Sequence, residues 1–155
     1  IGLVRDPTNF GTSTVASATT RRQLYAIKFG SVSGTFTADE EINQASTGAV
    51  GKVVEYDSTN KILYWYQTRF PDVGTDSDGN QTAFSGANAI TGQSSSASAT
   101  PNTSNSTTTN GTVFSSGYST PELAFDSGDI IYVEERSPIT RASDQTENIK
   151  LIIEF

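Results

Sequence analysis

The stretch from Gly48 to Thr68, GAVGKVVEYDSTNKILYWYQT, constrains the fold more than any other part of this chain. Val50, Lys52, Val54 and Tyr56 alternate with Val53 and Glu55. DSTN then supplies a four-residue turn, and Ile62, Tyr64 and Tyr66 alternate with Leu63 and Trp65. A period of two on either side of turn residues predicts a β-hairpin. Large apolar groups stand on both of its faces, so both are expected to meet protein and not water. No segment carries a convincing 3.6-residue period. The expected fold is all-β or strand-dominated, with antiparallel, sandwich-like sheets and a long Ser/Thr-rich loop.

The hairpin belongs to a region, 21–70, that begins with the β-rich QLYAIKF, closed by Gly30 and Gly34. Before it, residues 1–20 read as an extended arm with at most a short strand, punctuated by Asp6-Pro7 and by Asn9 to Gly11. After it, residues 71–120 are rich in Ser, Thr and Asn. With little to bury, such a tract cannot offset roughly 1–2 kcal/mol of backbone entropy per ordered residue. It is expected to be a surface insert that needs a partner to order it. Residues 121–155 resume the β pattern, with GDIIYVEE as a strand, RSPITRASDQTE as a bend and NIKLIIEF as a final strand that completes the fold.

Composition removes most chemistries. The chain has no cysteine and no histidine, which excludes disulfides, thiolate nucleophiles, imidazole bases and the usual zinc and haem ligands. Its net charge of −7 argues against nucleic acid, because phosphate neutralisation needs clustered Lys and Arg. From Phe70 to Glu135 there is no basic residue, while eight carboxylates occur, at Asp72, Asp76, Asp78, Glu122, Asp126, Asp129, Glu134 and Glu135. That half of the chain should be solvated or face a basic partner. No apolar run approaches the ~20 residues of a membrane span, and methionine is absent even at position 1. We therefore expect the C-terminal part of a longer protein.

The remaining candidates for a site are weak. A serine nucleophile would lack a histidine base and a G-x-S-x-G presentation. Adjacent carboxylates such as Glu40 and Glu41 point to opposite faces of a strand and cannot flank one glycosidic bond. DSDGN at Asp76 to Asn80 places Gly79 at the wrong position for a calcium loop and reads as a turn. The four N-x-[ST] triplets follow from composition. The aromatic run YWYQTRF, with Tyr64, Trp65 and Arg69, suits either a sugar- or peptide-binding platform or the packing of a two-faced hairpin. No catalytic residue, cofactor or metal is expected.

The stretch from Ser127 to Phe155 is more specific. Ser127-Gly128-Asp129 with Ile131-Tyr132, then Glu134, Arg136 and Pro138-Ile139, then Asp144-Gln145-Thr146-Glu147 with Ile149 and Phe155, resemble in order and without gaps the end of the baseplate wedge protein of T-even-type contractile-tailed phages. The opening IGLVRDP is similar, more weakly, to a segment lying well before that motif. The hairpin region resembles a small β-module of structural proteins from marine phages of this type. Residues 31–120 depart from the T-even pattern, and no wedge contact is carried onto them.

The resemblance implies a several-domain structural subunit, not an enzyme, that dimerises and binds other baseplate wedge subunits in the virion, without nucleic acid or membrane. It implies assembly in the host cytoplasm and contacts that help set the geometry that changes when the tail contracts. Candidate interface residues are Tyr132, Glu134, Arg136, Pro138, Arg141, Asp144 and Gln145, with Tyr64 and Trp65 on the hairpin. Pro138 removes a backbone donor from the ladder, and Glu134, Arg136, Arg141 and Asp144 are spaced to pair within the bend or across a subunit boundary. The alternative function is a receptor- or carbohydrate-binding tail module that uses the aromatic hairpin.

Overall fold

The computed structural model describes residues 2–17, 22–67, 74–124 and 127–135, and among these there are strands and turns but no helix. In chain order the strands are β1 (Gly2–Arg5), β2 (Tyr25–Ser33), β3 (Glu41–Gln44), β4 (Ala49–Asp57), β5 (Ile62–Tyr66) and β6 (Ile90–Gly92). They continue with β7 (Ser98–Pro101), β8 (Thr108–Thr109), β9 (Thr112–Val113), β10 (Tyr118–Ser119) and β11 (Asp129–Val133).

β4 and β5 form the hairpin foreseen from the alternation, with Asp57 opposite Ile62. The turn holds because the Asp57 carboxylate accepts the Asn60 backbone N–H at 2.9 Å and its side-chain amide at 2.7 Å. Lys61 turns the chain back with a φ of 54°. One feature escapes the simple alternation. Val53 faces Trp65 and Glu55 faces Tyr64, so Val54 is an extra residue in a β-bulge. The bulge sends Val54 and Glu55 both outward and brings Tyr56 in, edge-on to Phe36.

The sheet closes on itself. β3, β4 and β5 form a meander, β2 lies beside β5, β6 lies beside β3, and β7 pairs with both β6 and β2. The expected all-β, antiparallel fold thus takes the form of a closed six-stranded barrel, which removes most exposed strand edges. At Lys28, β2 changes partners. Its N–H bonds to Gly117 O and its carbonyl accepts the Asn102 N–H, both at 2.8 Å. Before this point β10 pairs with β2, and after it β7 does.

Ile27, Phe29, Ile42, Val53, Leu63, Trp65, Phe84 and Ile90 fill the barrel. On the other face of β5, Ile62 packs with Ala26 and Phe114, and Tyr64 packs against them. The β8–β9 ribbon lies over this outer face, where Tyr64 Oη is 3.3 Å from Thr112 Oγ1. Both faces of β5 therefore meet protein, which accounts for its continuous run of apolar residues.

Residues 74–120, expected to belong to a surface insert, instead supply β6 to β10. Small side chains make this possible. Ala97, Ala99 and Pro101 are buried while Ser96, Ser98 and Thr100 alternate with them toward solvent. Two buried polar side chains then hold the segment. The Glu40 carboxylate, 4% exposed, accepts the N–H groups of Thr37, Ser94 and Ser95 and the Ser95 hydroxyl, at 2.7 to 3.2 Å. Gln44 donates to Asn88 O at 3.0 Å and accepts the Ser85 N–H at 2.9 Å and the Thr47 hydroxyl at 3.0 Å. These bonds satisfy the backbone of a loop that has little apolar surface of its own.

Candidate interaction surface

Outside the barrel, β1 and β11 form a separate two-stranded antiparallel ribbon, with Leu3 opposite Tyr132 and Arg5 opposite Asp129. It is joined to the barrel through residues 7–10 and 122–124. Phe10 N–H bonds to Glu122 O at 2.8 Å and Ala124 N–H to Thr8 O at 2.9 Å. Arg22 clamps the same place, its backbone N–H on the Glu122 carboxylate at 3.0 Å and its guanidinium on Ser119 Oγ at 2.8 Å and Thr120 O at 2.7 Å. Burial lowers the Arg22 pKa, and the neighbouring Glu122 opposes that shift.

The Ser-Gly-Asp step explains how β11 reaches β1. Ser127 Oγ accepts the Thr8 N–H at 3.0 Å and donates to Ala124 O at 2.9 Å. Gly128 follows with a φ of +90°, and a Cβ on it would lie 2.6 Å from Arg5 O. Asp129 then accepts from the Arg5 guanidinium at 3.0 Å. Three consecutive residues thus supply a hydrogen-bonding hydroxyl, a bare backbone and a charge, each matched to one point on the N-terminal segment.

The ribbon buries little of what it carries. Ile130 is 70% exposed, Ile131 63% and Val133 64%, and Leu3, Val4 and Tyr132 are also exposed. Two-stranded ribbons are marginal in water, and contiguous exposed apolar residues mark interaction sites. At the base of the ribbon lies a cleft of about 390 Å³ lined by Val4, Pro7, Leu123, Gly128 and Ile130 among others.

Of the residues singled out in the sequence, Tyr132 lies exposed on β11 and Glu134 half-buried just beyond it. Tyr64 and Trp65 lie elsewhere, on β5. Trp65 is 3% exposed, stacked on Tyr25 at 4.7 Å and edge-on to Phe84 at 4.5 Å, so its aromatic surface is spent on the core. Tyr64 is half-buried beneath Thr112. Trp65, expected at an interface, therefore packs in the core, and Tyr64 and Trp65 offer no exposed aromatic platform; Arg69 of the same run lies outside the described residues. Arg136, Pro138, Arg141, Asp144, Gln145 and the strand from Ile149 lie outside the described residues. Sequence reasoning passed over Leu3, Val4, Ile130, Ile131 and Val133, although four consecutive apolar residues, Ile130 to Val133, cannot all face one core from a one-sided strand.

No cluster of metal-ligating side chains occurs among the described residues. The Asp76 loop closes on itself, its carboxylate accepting the Asn80 N–H at 2.8 Å and the Asp78 N–H at 3.0 Å, as a turn would. No described helix is long and apolar enough to cross a membrane.

A family model described as Bacteriophage T4, Gp8 matches residues 53–155, well over half of the chain. The chain belongs to the Gp8 family. Gp8 is a baseplate wedge family, so the protein is a structural subunit of the phage tail baseplate. The Gp8 match starts inside β4 and runs through β5 to β11, so it takes in the Ser/Thr/Asn tract as well as the C-terminal motif. Of the two ribbon strands, β11 lies within the Gp8 match and β1 before it. No curated protein and no solved structure matches the chain.

Proposed function

We propose that this Gp8-family chain works by binding. The β1–β11 ribbon, with Tyr132 and Glu134, provides the surface through which it meets neighbouring wedge subunits. The observation that carries this reading is the exposed apolar run from Ile130 to Val133, set immediately after the Ser-Gly-Asp step that docks it on β1. In the same reading the subunit also pairs with a second copy of itself, assembles in the host cytoplasm, and helps set the wedge geometry that changes when the tail contracts. It needs no catalytic step, in keeping with membership of a structural family.

The test is Ile131→Asp in the full-length protein. The side chain is exposed, so fold stability should move by no more than about 0.5 kcal/mol, while incorporation into wedges and particles is lost. Normal particle yield from this variant would overturn the assignment of the ribbon as the wedge contact.

A further inference from the structure

We infer that Asn110 is a self-modification site: when the β8–β9 ribbon opens, its side-chain amide is converted to the carboxylate of aspartate or isoaspartate, and the product hinders the ribbon from closing again. The inference concerns the ribbon over β5 and does not rest on the wedge-subunit reading.

Asn110-Gly111 is the one Asn-Gly pair in the chain. It makes the two-residue loop between β8 and β9, where Thr109 stands opposite Thr112. Asn110 has a φ of 48° and Gly111 a φ of 74°, the left-handed pair of a type I′ hairpin turn. Both residues are exposed, and a Cβ built on Gly111 would meet nothing within 4 Å. Glycine after asparagine leaves its nitrogen unhindered by a side chain. That nitrogen gives up its proton and bonds to Asn110 Cγ, while the bond from Cγ to the side-chain nitrogen breaks and ammonia leaves, giving a cyclic imide. Water then adds to either imide carbonyl. Breaking the Cγ–N bond gives aspartate, and breaking the backbone C–N bond gives isoaspartate, so the net change is one water in and one ammonia out.

The closed ribbon restrains the first step. A left-handed residue has a ψ of roughly +30 to +60°, which places the Gly111 nitrogen on the far side of the Cα–C bond from Cβ, so the imide can close only after the turn opens. Little holds the turn shut. β8 and β9 are two residues each, Asn110 Nδ2 donates to Asp57 Oδ2 at 3.3 Å, and Tyr64 Oη lies 3.3 Å from Thr112 Oγ1. Such a ribbon opens locally more readily than a barrel strand. Either product then works against closure. The Asp57 carboxyl is held below its usual pKa range by the hydrogen bonds from Asn60, so a carboxylate at position 110 would set like charges together where a donor now meets an acceptor. Isoaspartate also lengthens the backbone of a turn whose geometry is fitted to two ordinary residues.

The test incubates the full-length protein at mildly alkaline pH beside a synthetic peptide of residues 105–116 and follows amide-to-acid conversion by mass spectrometry of peptide fragments. Conversion in the protein should be concentrated at Asn110 and run roughly tenfold or more slowly than in the peptide, because only the open ribbon reacts. Tyr64→Phe, which removes only a hydroxyl from the ribbon's support, and Asp57→Ala, which removes the contact to Asn110, should each raise the rate toward that of the peptide. In Asn110→Asp, the β8 and β9 amides should exchange hydrogen faster than in the wild type while the barrel amides stay unchanged. Equal rates in protein and peptide would overturn the inference, as would no conversion in the protein over an incubation that converts the peptide many times over. Rates in both Tyr64→Phe and Asp57→Ala equal to that of the wild type, or unchanged exchange of the ribbon in Asn110→Asp, would overturn it as well.

Discussion

Gly128 presses its backbone against the carbonyl of Arg5. A Cβ at position 128 would lie 2.6 Å from that oxygen and 2.7 Å from Val4 Cγ1, on a backbone whose φ is +90°. The contact joins two segments that are more than a hundred residues apart in the sequence, and it leaves no room for any side chain. Gly128→Ala should therefore loosen the ribbon at a local cost of about 1–3 kcal/mol. Hydrogen exchange should show faster exchange at the β1 and β11 amides with the barrel amides unchanged. Unchanged protection of β11 would contradict this account of the Ser-Gly-Asp step.

Glu40 gives the barrel a pH dependence. Burial raises the pKa of its carboxyl, but the hydrogen bonds from Ser95, Thr37 and Ser94 outweigh burial and hold it below the usual glutamate range. A lowered folded-state pKa means that the carboxylate contributes stability above the unfolded value of ~4.3, and that this contribution is lost as pH falls through the folded value. Thermal unfolding of the wild type should fall in this acid window, and Glu40→Gln should remove part of that dependence.

The same substitution should be costly near neutral pH. Each carboxylate oxygen accepts two donors, Oε1 from Thr37 N–H and the Ser95 hydroxyl, and Oε2 from the Ser94 and Ser95 N–H groups. An amide turns one of these acceptors into a donor, which should cost about 1–3 kcal/mol. Urea denaturation would read this as a lower midpoint. A midpoint equal to wild type would mean that the β6–β7 turn is held by something else.

Gly51 sets how closely Trp65 can approach β4. A Cβ there would lie 2.6 Å from Trp65 Cε3 and 3.1 Å from both Cζ3 and the Tyr66 carbonyl oxygen. Trp65 is hemmed in by Tyr25 and Phe84, so it cannot move aside without disturbing the core. Gly51→Ala should destabilise the protein by about 1–3 kcal/mol and alter tryptophan fluorescence, Trp65 being the single tryptophan in the chain. A variant with native fluorescence and stability would show that this side of the barrel is loosely packed.

The hairpin was legible because its alternation and its turn are local: Asp57 and Asn60 make the turn wherever the chain goes next. The strand at Asp129 was legible for the same reason. The bulge at Val54 was not, because one extra residue in β4 is visible only against β5. The ordering of 90–101 was not legible either. Its apolar content is mostly alanine, and the groups that hold it, Glu40 and Gln44, lie some fifty residues earlier. Of the residues that the sequence offered for a proposed interaction surface, Tyr132 and Glu134 lie on or just beyond β11, whereas Trp65 lies in the core, because aromatic content reads the same in a core and in a binding platform.

By itself, the sequence determined the strand-dominated class, the absence of cysteine and histidine chemistry, and the Ser-Gly-Asp motif that leads to the Gp8 family. Tertiary structure alone decided that the sheet closes between β2 and β7, that the Ser/Thr tract enters the barrel wall, and that Ile130 to Val133 stay outside it. Periodicity reports which side chains share a face of one strand. Which face is covered depends on backbone pairings and buried acceptors supplied from distant positions, and these exist only once the chain has closed.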